Sequence, residues 1–94
     1  MTKAEVIAEI SKKTGLEKLD VQQTVEAFFR VIKNAMIGGD NVYVRGFGSF
    51  VVKKRAEKTA RNISKNTPIV IPEHHIPTFK PAKSFVQKVK QGNR

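Results

Sequence analysis

Cysteine is absent, which excludes disulfides and thiolate metal sites and leaves packing or a partner subunit as the source of stability; a reducing, cytoplasmic setting fits. No stretch approaches the roughly 20 apolar residues of a membrane span. The opening Met1-Thr2-Lys3-Ala4-Glu5 leads into a charged amphipathic segment, so neither secretion nor membrane insertion is expected. Internal repeats and low-complexity tracts are missing. So is any plausible active site: there is no Ser/His/Asp set, phosphate-cradling glycine loop or acidic pair. Gly46-Phe47-Gly48 lacks the strand-to-helix setting and the later glycine of a nucleotide fingerprint. His74 and His75 are adjacent, so on a strand they point to opposite faces, and zinc would need further ligands that no cysteine supplies. The expectation is a single small domain of 94 residues with no enzymatic activity, cofactor or metal.

Acidic residues are scarce in one half only. Residues 1–44 balance Lys3, Lys12, Lys13, Lys18, Arg30 and Lys33 against Glu5, Glu9, Glu17, Asp20, Glu26 and Asp40, whereas residues 45–94 hold twelve basic side chains against Glu57 and Glu73. The whole net charge of +10 therefore sits in the second half. Solubility alone does not require that confinement, and a polyanion is the expected partner.

Thr2 with Glu5 three residues on is a capping-box pattern, and Ala4, Ile7, Ala8 and Ile10 follow at helical spacing until Gly15. Val21, Val25, Phe28, Phe29, Ile32 and Met36 predict a second helix over residues 18–37, stopped by Gly38-Gly39. From Asp40 the period changes. Residues 41–45 read as a strand, Gly46-Phe47-Gly48 as a tight connection, and Ser49 to Arg61 as a long second strand. Alternation puts Phe50 and Val52 on one face and Val51, Lys53 and Arg55 on the other. Residues 67–76 form another extended run, whose prolines at 68 and 72, with Pro77 beyond, remove ladder donors and point to an edge or free ribbon. Lys53 to Arg61 and Thr67 to His75 can then pair as an arm of roughly 30 Å, with residues 62–66 at its tip. An isolated two-stranded ribbon is marginally stable, so the arm is expected to move when free and to order on a ligand. A short C-terminal helix, opened by Pro81 in its first turn, completes the α+β reading.

Without the arm, roughly 70 residues remain, and a single core of that size seldom supplies more than about 3–5 kcal/mol. Phe28, Phe29, Ile32, Phe47, Phe50, Phe79 and Phe85 exceed what one such layer buries. A two-fold dimer closed over these side chains is expected, of identical chains or of two paralogues.

Val44-Arg45-Gly46-Phe47-Gly48-Ser49-Phe50, then Arg55-Ala56, Arg61-Asn62 and Ile76-Pro77-Thr78-Phe79-Lys80-Pro81-Ala82-Lys83, resemble the signature of the bacterial HU and IHF histone-like proteins along nearly the whole chain. The resemblance implies an intertwined α+β dimer with a helical base, a β-sheet saddle and two β-ribbon arms, over residues 53–76 here, that enter the minor groove of double-stranded DNA. It assigns Arg55, Lys58 and Arg61 to the arm's DNA-facing side, Lys53 to its base and Asn62 to its tip. It further implies phosphate contacts from Lys80, Lys83 and Lys3, DNA contact by Arg45 and Lys65, and a turn at Gly46 and Gly48 that keeps backbone open near the saddle.

At the tip this chain has Arg61-Asn62-Ile63-Ser64-Lys65-Asn66 where the family has Arg-Asn-Pro-x-Thr-Gly. Ile63 then takes the wedge position, an apolar side chain of the kind that inserts between base steps. Little sequence specificity is expected, since the minor groove mainly separates A·T from G·C. Bent, nicked or gapped duplexes should bind better than straight DNA, in a bacterial nucleoid. A sequence-preferring IHF-like factor, a small RNA-binding protein and a polycation that coats membranes or acidic polysaccharides are the alternatives.

Overall fold

The chain runs α1 (Lys3–Thr14), α2 (Lys18–Ile37), β1 (Val42–Val44), β2 (Gly48–Arg55), β3 (Lys58–Asn62), β4 (Thr67–Ile71), β5 (His74–Pro81) and α3 (Lys83–Gly92). This α+β architecture comes from a computed structural model that describes residues 1–62 and 67–93. Two compact units divide it, Met1–Ala35 and Met36–Arg94.

In the first unit the predicted cap forms: the Glu5 N–H donates to Thr2 Oγ1 at 3.2 Å, and the Thr2 hydroxyl donates to the Glu5 carboxylate at 3.3 Å. Gly15 ends α1 with φ of 76°, a left-handed turn that costs glycine little, and its N–H reaches the Ser11 carbonyl at 2.9 Å. Ile7, Val21 and Ile32 make up the buried hydrophobic core among the described residues. All three lie in this unit. Ile32, expected at a dimer interface, is thus already enclosed within its own chain.

In the second unit β1, β2 and β5 form a three-stranded antiparallel sheet in the order β1-β2-β5, and β3 pairs only with β4. β1 is too short to partner all of β2, and the Asn41 side chain extends it: the Val52 N–H donates to Asn41 Oδ1 at 2.9 Å. The expected long second strand is interrupted. Pairing stops after Arg55 opposite His74 and resumes at Lys58 opposite Ile71, leaving Ala56 and Glu57 on one side and Pro72 and Glu73 on the other. The count of residues is equal on both sides, so the register continues in step across the gap.

Phe47, Phe50, Phe79 and Phe85 gather in this unit, with ring centroids 5.0 Å apart for Phe47–Phe79, 5.1 Å for Phe50–Phe79 and 5.2 Å for Phe47–Phe85. The Phe47 carbonyl accepts from the Ala82 N–H at 2.8 Å and so ties the turn after β1 to the start of α3. Pro81 stands differently from its expected place. It ends β5, Ala82 caps the helix, and Lys83 is the first helical residue.

Candidate nucleic-acid interface

Strand alternation sorts the second unit's charges. Cross-strand partners share a face, so the pairs Phe50–Phe79 and Val52–Pro77 build the apolar face, and Ser49–Lys80, Val51–Thr78, Lys53–Ile76 and Arg55–His74 build the other. Lys53, Arg55 and Lys80 therefore lie on one side of the sheet, opposite the phenylalanines. Tyr43, facing Ser49 from β1, joins that side. Nothing in the periodicity singled it out, because a three-residue strand offers no repeat to read.

Arg45 sits in the turn that leads to β2, where the Phe47 N–H bonds the Val44 carbonyl at 3.0 Å and Gly46 takes φ of 81°. A glycine is needed there for its dihedral, and the space around it is open. Gly48 is a different case. It is buried, and a side-chain carbon on it would come within 2.5 Å of the Lys80 carbonyl and 2.7 Å of the Phe79 ring. The open-backbone role expected of Gly48 is thus replaced by close packing, and it offers no surface to a ligand. Lys80 and Lys83 flank the tie between Phe47 and Ala82, which holds them beside the Arg45 turn.

Beyond the gap, Lys58 faces Ile71, Arg61 faces Pro68, and Asn62 closes the described ladder opposite Thr67. Lys58 and Arg61 are three residues apart on one strand and so occupy opposite faces, which corrects the expectation of one shared DNA-facing side. Ile63 and Lys65 lie outside the described residues. Lys54 was not among the expected contacts; it stands on the apolar face opposite His75 and is held by Glu73 at 3.1 Å. His74 and His75 do alternate, and His74 Nδ1 lies 2.9 Å from the Pro72 carbonyl.

In the first unit, Lys3 pairs with Glu26 at 3.6 Å, and Phe29, Arg30 and Lys33 line the same shallow concavity. Arg30 and Lys33 are not among the contacts that the resemblance implies, although the steps from Glu26 to Arg30 and Lys33 are those of one helix face. No helix is long and apolar enough to cross a membrane among the described residues.

Residues 1–90 match the family described as bacterial DNA-binding protein. The chain is 41% identical to DNA-binding protein HU of Thermotoga maritima, over 96% of its own length and 100% of the relative's. It is 36% identical to integration host factor subunit alpha of Colwellia psychrerythraea, over 99% and 96% of the two chains. Among solved structures it is similar to HU in the Anabaena HU–DNA cocrystal structure, with a TM-score of 0.89 at 31% identity, covering 95% of this chain and 97% of that one. The chain belongs to the bacterial DNA-binding protein family of HU and integration host factor, whose members are histone-like architectural DNA-binding proteins and not enzymes.

Proposed function

We propose that the protein acts as a two-fold dimer that sets its two ribbon arms into the minor groove of duplex DNA and bends it, largely irrespective of sequence. One observation carries this reading. A single hairpin bears Lys53, Arg55 and Lys80 on one face of the sheet and continues in register into a ribbon with Lys58 and Arg61 and no carboxylate at residues 58–62 or 67–71. Cations along that line neutralise phosphates and release condensed counterions. Arg45, Asn62, Lys65, Lys83 and Lys3 are the further DNA contacts in this reading. In this reading Ile63 is the wedge, as apolar side chains are in architectural proteins of this kind.

The dimer explains apolar surface that one chain leaves in water. Phe28 and Phe29 are 50% and 49% exposed, and no hydrophobic side chain of the second unit is buried among the described residues. A groove of about 530 Å³ runs along α3, lined by Phe79, Pro81, Phe85, Val86 and Val89. A second copy suits such surface on a chain this small. The bacterial nucleoid is where such a protein would work.

Affinity and bend angle on straight and nicked duplexes over a salt series test the function. Tighter binding to nicked DNA is expected, with log K falling by about 0.9 per phosphate contact for each log unit of salt. Replacing Ile63 with Ser should reduce the bend in an energy-transfer assay. Equal affinity for both duplexes with a salt-independent bend would overturn the reading, and a monomeric mass at micromolar concentration in sedimentation would overturn the dimer.

A further inference from the structure

The basic face of the sheet carries one side chain whose charge is not fixed. The register sets His74 opposite Arg55, next along from the pair of Lys53 with Ile76, on the side that also bears Lys80. Lys53, Arg55, His74 and Lys80 are all exposed. Three of them are permanent cations; an imidazole is not.

One hydrogen bond fixes what the ring can do. His74 Nδ1 lies 2.9 Å from the Pro72 carbonyl, and a carbonyl oxygen only accepts, so Nδ1 carries a hydrogen. Nε2 is then the nitrogen that gains and loses a proton. Neutral, it presents a lone pair, which an anionic oxygen repels. Protonated, it presents an N–H and a positive charge, which a phosphate oxygen accepts. Histidine side chains make this change between about pH 5 and 8.

The charges around the ring leave that N–H to a ligand. On this side of the sheet stand Lys53 and Arg55 from β2 and Lys80 from β5, with Tyr43 from β1 the remaining titratable group. β1, β2 and β5 contain no carboxylate. Of the two acidic residues at the gap, Glu73 bonds Lys54 of the other face at 3.1 Å, and Glu57 lies outside the strands. His75 takes that other face, opposite Lys54, and so provides a second imidazole that does not share the basic side.

We propose that His74 is a proton-dependent phosphate ligand on the basic face of the sheet, so that acidification tightens the hold on duplex DNA. This rests on the DNA-binding reading above and adds pH to it. Because the protonated form binds more tightly, binding near neutral pH takes up protons, as reciprocal linkage requires.

Affinity of the full-length protein for a nicked duplex, measured from about pH 5.5 to about pH 8 at several salt concentrations, tests it. The parent should bind about three- to tenfold more tightly at the acidic end, and its log–log salt dependence should steepen there by up to about 0.9 for each His74 engaged. His74→Gln should keep the parent's alkaline affinity and lose the dependence on pH. His74→Lys should hold the acidic affinity throughout, and His75→Gln should follow the parent. Calorimetry in two buffers of different ionisation enthalpy should show proton uptake by the parent and none by His74→Gln. Coincident pH profiles for the parent and His74→Gln overturn the proposal. So does a profile that His75→Gln flattens equally, which would assign the effect to overall charge. A parent that binds the duplex at no pH defeats the underlying reading itself; a parent that binds with an affinity indifferent to pH defeats only the role of His74.

Discussion

Below the gap at residues 56–57 and 72–73, the hairpin has a mainly apolar side and a basic side: Phe50, Phe79, Val52 and Pro77 on one, Lys53, Arg55 and Lys80 on the other. Above it, the same two strands in the same register have no such division, because Lys58 and Arg61 take opposite faces and β4 exposes apolar residues on both. A three-stranded sheet with four clustered rings has packing that the ribbon lacks. A two-stranded ribbon is marginal in water. One half is built to persist, the other to be completed by what it binds.

The sharpest way to break this contrast is a change that should matter only below the gap. Gly48→Ala places a carbon against the Lys80 carbonyl and the Phe79 ring, and about 3 kcal/mol of stability should be lost in urea unfolding. A loss below about 0.5 kcal/mol would mean that the sheet yields as easily as the ribbon. Next in size is native-state amide exchange without DNA. Hydrogen-bonded amides of β2 and β5 should exchange about a hundredfold more slowly than those of β3 and β4, and saturating duplex should close much of that difference. Uniform protection from 55 to 75 in the free protein would erase the distinction.

A smaller effect is expected from removing the ribbon's cations. Lys58→Gln combined with Arg61→Gln should weaken duplex binding about tenfold at moderate salt and flatten the salt dependence. Smallest of all is the pair at the gap. Lys54 and Glu73 are both more than half exposed, so Glu73→Gln should shift stability by less than about 0.5 kcal/mol at low ionic strength and by nothing measurable in high salt. A larger shift would make the gap a structural clasp between the halves.

Much of this was legible in the residues because it rests on local chemistry. Thr2, Gly15 and the three- and four-residue steps from Val21 to Met36 specify both helices, and alternation from Phe50 to Arg55 separates the apolar from the basic face. What escaped depends on neighbours distant in sequence. Ala56 and Glu57 carry no stop signal, and Pro68 lies inside β4 while Pro72 falls in the gap, so proline alone does not locate the break. Pro81 suits a strand end and a helix start equally in φ; the Ala82 bond to the Phe47 carbonyl accompanies the strand end. An open glycine and a packed one read alike, so nothing in the sequence separates Gly48 from Gly46. The opposed directions of Lys58 and Arg61 follow from β3 being a regular strand, a fact that a residue-by-residue resemblance does not convey.

The unbroken register across the gap makes the finger's length a paired quantity. Inserting one residue on one strand alone above the gap would break the pairing beyond it, whereas one facing addition on each strand would keep the pairs, turn the faces beyond it over and lengthen the reach by about 3.3 Å while leaving the base undisturbed. Reach can thus be adjusted like a ruler, one matched rung at a time, without rebuilding the foundation on which it stands.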